Sequence, residues 1–279
     1  MPTRSPRTRA LAALVLGCCA AVSARAADVA LARLDCGGPP APVSVASFSD
    51  TMEHPELTLQ LVYSCYLVRH GGRYLLWDTG NAMDGSPSAP KASLIEQLAR
   101  IGVDPAAVEF VGVSHHHADH TGQLASFPKA TLLIGQGDWE ALQATRAPAG
   151  MSAGGFAAWR APFAPWFAGG RVETLSRDRR DVFGDGSVQM ISLPGHTPGH
   201  HGLLVRLAKT GNVLLTGDVT HFHENYRSDG IPTWNTSRAD SLASLDRFRR
   251  LAANLGATVI IQHDPRDVAK LPVFPDFAR

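Results

Sequence analysis

The run SHHHADH at residues 114–120 places four histidines and one aspartate in seven positions. Imidazole and carboxylate donors without thiolate suit zinc and accept iron or manganese. In an extended segment alternate side chains share a face, so His115 and His117 can grip one ion. Asp119 and His120 then point elsewhere as the loop turns and can hold a second. Neither group is complete within the run. Three later residues supply candidates for the missing ligands: His196 in PGHTPGH, Asp218 in TGD and His263 in IIQHD. His116 falls on the face opposite its neighbours and reads as a supporting residue. Two divalent ions about 3.5–4 Å apart lower the pKa of a shared water, and the bridging hydroxide attacks an electrophilic carbonyl or phosphorus. The chemistry indicated is hydrolysis of an ester, lactone, amide or phosphoester.

The elements that must position these residues alternate between strands and helices. LQLVYSCYLV (59–68), a His-Gly-Gly turn and RYLLWDTG (73–80) read as a β-hairpin. KASLIEQLARIG (91–102) sets Leu94, Leu98 and Ile101 at helical spacing. VEFVGVS (108–114) is a buried strand running straight into the histidine cluster, ATLLIG (130–135) another, and DWEALQATR (138–146) a short helix. In the second half VQMISLPGH (188–196) runs strand into loop, and HGLLVRL with VLLTGD (213–218) forms a second hairpin. A helix follows, with Ser237 as N-cap, Asp240 three residues on, and Gly256 as its stop. ATVIIQHD (257–264) is the last buried strand. The pattern is α/β, and Asp78, His115, His196, Asp218 and His263 all sit just past strand ends, where functional residues gather in layered folds.

Composition narrows the partners. Arg4, Arg7 and Arg9 precede the apolar run ALAALVLGCCAAV (10–22), and Ala24-Arg25-Ala26 is an A-x-A cleavage site. Residues 1–26 therefore read as a secretory signal peptide, with 27–279 as a single mature hydrolase domain in the periplasm or outside the cell. The apolar run is 13 residues long, short of the roughly 20 a membrane helix needs, and no other segment is long enough to span a bilayer. A competing reading makes Cys18 a lipidated N-terminus. The mature chain carries 22 basic and 25 acidic residues, without the basic excess that nucleic-acid binding calls for. Its two cysteines, Cys36 and Cys65, read either as a disulfide or as two small buried thiols.

The motifs H-x-H-x-D-H, P-G-H-T-P-G-H, G-D and a closing histidine, with D-T-G at 78–80 upstream, resemble the metallo-β-lactamase superfamily, in order, over roughly residues 60–264. That resemblance implies an αββα sandwich of two similar halves with a two-zinc site between its sheets. By the family pattern His115, His117 and His196 bind the first metal, Asp119, His120 and His263 the second, and Asp218 bridges both. Asp78 is expected to orient a ligand histidine, and His200 and His201 to pack or support. His54 and His70 read as surface residues.

The resemblance also bears on the substrate. β-Lactamases of this superfamily generally lack an aspartate at the bridging point, so Asp218 argues against β-lactams. GDVTHFHENY (217–226) followed by IIQHDP (260–265) is similar to N-acyl homoserine lactonases. Several of those place a tyrosine three residues after the bridging aspartate, against the substrate carbonyl. Here the position is His221, read either as a catalytic donor or as a plain loop residue, with His223 and Tyr226 as reserves. Asp119 and His221 are the candidate catalytic groups. MSAGGFAAWRAPFAPWFAGG (151–170) lacks a regular period and reads either as a lid presenting Phe156, Trp159 and Trp166 to an acyl chain, or as packing on the sandwich or between two subunits of a homodimer. Met52 is placed to line the same groove. A glyoxalase II-like thioesterase or β-lactamase-like hydrolase is the nearest alternative, and a mononuclear-iron persulfide dioxygenase is the rival from another reaction class. The expected partner is a small acyl lactone.

Overall fold

A computed structural model describes Met1 and residues 28–148, 151–176 and 178–279. Cys18 and the rest of the expected leader beyond Met1 lie outside the described residues. The chain runs through β1 (Val29–Asp35), a ribbon of β2 (Val43–Ser44) and β3 (Thr58–Leu59), then the hairpin β4 (Ser64–His70) and β5 (Arg73–Trp77). Helix α1 (Leu94–Arg100) leads to β6 (Val108–Gly112), the single turn α2 (Ala118–Thr121), β7 (Thr131–Gly135) and α3 (Gln136–Gln143). Helices α4 (Ala153–Arg160) and α5 (Ala164–Phe167) precede β8 (Val172–Leu175). These strands form a six-stranded sheet in the order β1-β4-β5-β6-β7-β8, parallel from β5 onward.

The second sheet takes β9 (Arg179–Asp181), β10 (Val188–Ser192), β11 (His201–Leu207) and β12 (Gly211–Leu215). After α6 (His223–Ser228) and α7 (Arg238–Leu255), β13 (Thr258–Ile260) joins parallel to β12, giving the order β13-β12-β11-β10-β9. Strand alternation sorts the side chains into three apolar layers. Leu75 and Trp77 of the first sheet meet Leu203, Val205, Val213 and Leu215 of the second in the central layer. Leu76 points the other way, onto Leu94 and Leu98 of α1. Leu204 and Leu214 turn outward onto Leu245 and Phe248 of α7. The αββα expectation is met.

Departures from expectation are local. The strand expected from residue 59 begins at Ser64, because the Tyr63 backbone pairs instead with Cys36 and Gly37. The last strand stops at Ile260, so that Asp264 can bond back to Ile261 and turn the loop after His263. The 151–170 segment, in which no regular period was legible, is helical in three short pieces: α4, a 3-10 turn at Ala161–Phe163, and α5. Ser152 caps the first by accepting the Gly155 N–H, and Pro162 and Pro165 restart the chain so often that no long period survives. For α7, Ser237 caps as expected by accepting the Asp240 N–H, and Gly256 ends it in the left-handed region.

Cys36 and Cys65 form a disulfide with Cα atoms 5.8 Å apart, both fully buried beneath the first sheet's outer layer. Of the two readings open from sequence, pairing is the one the fold adopts. The bond closes a loop spanning 29 positions, so reduction is expected to cost about 3.6 kcal/mol. Urea unfolding with and without reductant measures it; coincident midpoints would mean the bond constrains nothing.

Candidate metal centre

The expected ligands leave the C-terminal ends of β6, β10, β12 and β13 and converge in two groups. His115, His117, His196 and Asp218 each present one ligand atom, all within 4.8 Å of one another, and Asp119, His120 and His263 do the same. His117 approaches the centre through Nδ1, which lies 2.9 Å from His115 Nε2 and 3.0 Å from His196 Nε2. Across the gap, His120 Nε2 and His263 Nε2 are 3.2 Å apart. Asp218 spans the groups. Its Oδ1 lies 2.9 Å from His263 Nε2 and 3.3 Å from His120 Nε2, and its Oδ2 lies 3.4 Å from His196 Nε2 and 3.7 Å from His115 Nε2.

Outer partners fix how each ring faces. His120 Nδ1 bonds Asp78 Oδ2 at 2.9 Å, His196 Nδ1 bonds Asn235 Oδ1 at 2.8 Å, and His263 Nδ1 bonds the Val62 carbonyl at 3.1 Å. Each of these rings is thereby turned with Nδ1 toward its outer partner and Nε2 inward, the orientation a metal ligand requires. His115 Nδ1 rests on the Ser114 hydroxyl at 3.0 Å. Asp78, held in the left-handed region at φ 59°, also accepts the Ser114 N–H at 2.6 Å and the Gln262 amide at 2.9 Å. Such strain persists only where its surroundings enforce it.

The donor set fits two divalent cations. Five imidazoles and two carboxylates aim at one largely buried space, and Asp218 Oδ1 has no hydrogen-bond donor although it is buried, a costly arrangement without a counter-charge. Burial, reinforced by neighbouring imidazoles, pushes the His115 and His196 pKa values well below the usual histidine range. At His120 burial opposes the charge, but Asp218, Asp119 and Asp78 together hold its pKa well above that range, and His263 is raised by Asp218 in the same way. Burial likewise works against the Asp218 carboxylate, yet His263, His120, His221 and His115 hold its pKa well below normal.

His200 supports from behind: its Nε2 accepts the Asp218 N–H at 2.7 Å and its Nδ1–H donates to the Leu193 carbonyl at 3.0 Å. Burial holds its pKa down to about 3, so the ring stays neutral. His201 bonds the Gly199 carbonyl. The support roles expected of Asp78 and His200 are the ones observed. Asn235 and Gln262 were not foreseen; each hydrogen-bonds a site residue reached through tertiary packing.

A cavity of about 170 Å³ opens over both groups, walled by Phe48, Leu61, Tyr63, His221 and Trp234. His221 is a wall residue, with Nε2 3.2 Å from Asp218 Oδ2 and a buried, unpartnered Nδ1. A second cavity, apolar and about 600 Å³, meets His117 from the side and is lined by His116, Ala141, Met151, Ala158 and Trp159. Trp159 therefore reaches a cavity as expected. Phe156 and Trp166 do not line it. Phe156 is buried against Trp159 and Arg160 within its own helix, and Trp166 is locked into the outer core by donating Nε1–H to the Ala130 carbonyl. Tyr226 faces away, packed on Phe248 of α7 under Arg249. His223 is bound to Asp267 at 2.6 Å, and Met52 is 75% exposed outside both cavities. His70, expected on the open surface, stacks on Phe183 and bonds Asp185.

Comparison with known proteins agrees with this geometry. The profile of the Metallo-beta-lactamase superfamily matches residues 60–263. N-acyl homoserine lactonase AttM of Rhizobium radiobacter is 31% identical over 231 residues, spanning 76% of this chain and 85% of the relative. An N-acyl homoserine lactonase from a Bacillus species is 26% identical, spanning 83% and 92%. Among solved structures, a quorum-quenching N-acyl homoserine lactone hydrolase superposes with a TM-score of 0.73 at 22% identity, over 89% of this chain and 97% of that one. AidC, a dizinc quorum-quenching lactonase, does so at 0.68 and 16% identity, over 91% and 90%. At those identities the structural likeness is one of fold; the sequence match over 60–263 carries further, and the chain belongs to the metallo-beta-lactamase superfamily as one of its hydrolases.

Proposed function

We propose that the mature chain, residues 27–279, is an exported dinuclear zinc hydrolase that opens the lactone ring of N-acyl homoserine lactones, a quorum-quenching activity. The observation that carries this reading is the pairing of a small polar cavity over the centre with a large apolar one beside it. An amphipathic molecule with a compact polar head and an alkyl tail fits that pairing. The lactonases among the relatives support the same substrate class. The buried disulfide supports export to an oxidising compartment, and no described helix is long and apolar enough to cross a membrane.

In this reading His115, His117 and His196 would hold one ion and Asp119, His120 and His263 the other, with Asp218 between the two groups. The ions, when bound, supply an activated water and polarise the carbonyl. Everything else is the chain's own work. Asp119, whose side chain is 28% exposed to the cavity, can take the proton of the attacking water and return it to the ring oxygen as the C–O bond breaks. His221 and Tyr63, which line the cavity over the centre, are the candidate donors to the oxyanion that develops. Burial, with Asp119 and Asp218 nearby, pushes the Tyr63 phenol pKa up, so it remains a donor at neutral pH. Trp159 and Met151 receive the acyl chain. The second group of Asp119, His120 and His263 speaks against a mononuclear-iron dioxygenase, which has little use for it.

The deciding test is turnover of zinc-reconstituted mature protein on C6–C12 acyl homoserine lactones beside nitrocefin and S-lactoylglutathione. Lactones are expected to turn over, with Asp218→Ala abolishing the activity; preference for nitrocefin or the thioester would overturn the substrate. Met151→Ala is expected to raise KM for the C12 lactone about fivefold and leave C6 nearly unchanged, since Met151 lines the apolar cavity and apolar contact is lost only where the chain reaches it. Equal effects on both lengths would put the acyl chain elsewhere. His221→Ala is expected to lower kcat about 10²-fold with two ions retained; a loss of metal in step with activity would make His221 a structural residue. Zinc binding is also expected to release protons at neutral pH, because His120 and His263 hold them above the usual histidine range and must give them up. Affinity should accordingly weaken as pH falls. Calorimetry in buffers of differing ionisation enthalpy reads the protons, and buffer-independent heats would contradict the assignment.

A further inference from the structure

Asp138, in the first turn of α3, is completely buried and touches none of the seven ligand side chains. Its Oδ2 accepts the His116 N–H at 3.1 Å and the Thr197 hydroxyl at 2.9 Å, while Oδ1 accepts the Gly199 N–H at 2.7 Å. The donors belong to two loops about eighty residues apart in the chain. One carries His115 and His117; the other carries His196. Contact between the helix start and the second loop is backbone to backbone: a Cβ at Gly135 would fall 1.9 Å from the Gly199 carbonyl oxygen, and one at Gly199 would strike Asp138. No water layer separates them to absorb a misfit. From the other side, Trp159 donates Nε1–H to the His116 carbonyl at 3.0 Å, so the backbone between His115 and His117 is gripped at both its N–H and its C=O.

We propose that Asp138 is a positioning residue that sets the spacing between these two loops, and with it the affinity of the group formed by His115, His117, His196 and Asp218 for its ion. The inference rests on the dinuclear reading above. The carboxylate matters chemically because three donors converge on its two oxygens. An amide would keep one oxygen and turn an NH₂ toward at least one of those donors.

The test is Asp138→Asn, loaded with Co²⁺ and followed by its visible absorption and by competition with a chelator. One of the two ions is expected to bind 10–100-fold more weakly with an altered spectrum, the other to stay within about threefold, and the far-UV circular dichroism to stay unchanged. Thr197→Val removes one donor and leaves the carboxylate in place; a smaller loss at the same ion is expected, and it decides the matter if Asp138→Asn does not fold. Wild-type affinities and spectra in the variant that folds, or equal weakening of both ions, would overturn the inference while leaving the dinuclear reading intact. Wild-type protein that binds no divalent ion would sink both.

Discussion

The structure depends on one buried carboxylate held between two sets of imidazoles. Asp218 is almost wholly removed from water, and a charge so placed is tolerated only if the surroundings compensate it. Its two oxygens face different histidines, His120 and His263 on one side, His115 and His196 on the other. Those histidines in turn cannot be packed tip to tip in a dry space unless something draws their lone pairs together. The donor chemistry and the arrangement of protons around it therefore ask for the same thing, cations at the centre.

The sandwich can be understood as the means of bringing that about. Parallel strands β5 and β6 deliver Asp78 and the 114–120 loop from one sheet. Strands β10, β12 and β13 deliver His196, Asp218 and His263 from the other. The central apolar layer, where Leu75 and Trp77 meet Leu203 and Leu215, fixes the distance between those two deliveries. Gln262 links the layer to the site directly: it accepts the Trp77 indole N–H, accepts the Gly217 N–H and donates to Asp78. A rigid core thus hands its rigidity to ligands that sit on loops, which is what a preformed metal site needs.

The cavities beside the centre draw on further parts of the chain. Beyond the candidate ligands and their loops, the walls of the two cavities come from the ribbon region around Phe48 and Leu61, the loop at Trp234, and α4 with Trp159. None of these belongs to β6, β10, β12 or β13, whose ends carry the candidate ligands. Wall and centre thus come from different segments, joined where Trp159 bonds the His116 carbonyl, which accords with one fold serving many hydrolytic reactions.

Much of this was legible in the sequence. The seven candidate ligands that converge, the αββα layering, the caps at Ser237 and Gly256 and the placing of Asp78 against His120 follow from motifs and periodicities that local chemistry enforces. A histidine after a buried strand has few places to go, and alternation in a strand is decided residue by residue. What the sequence left open is what depends on distant segments meeting. Asn235 beside His196, Gln262 beside Asp78 and Asp138 between two loops carry no spacing signal, because their partners are tens of residues away and only packing chooses them. The aromatic segment 151–170 shows the same limit: composition marked it as apolar, but only the docking of three short helical pieces decided that Trp159 would face a cavity while Phe156 and Trp166 went inside. Cys36 and Cys65 were free in sequence to pair or to stay apart, and it was the approach of β1's end to β4 that joined them. Residue types set which chemistry the chain can do; the tertiary contacts, which balance burial against hydrogen bonding over the whole molecule, decided which of those residues meet.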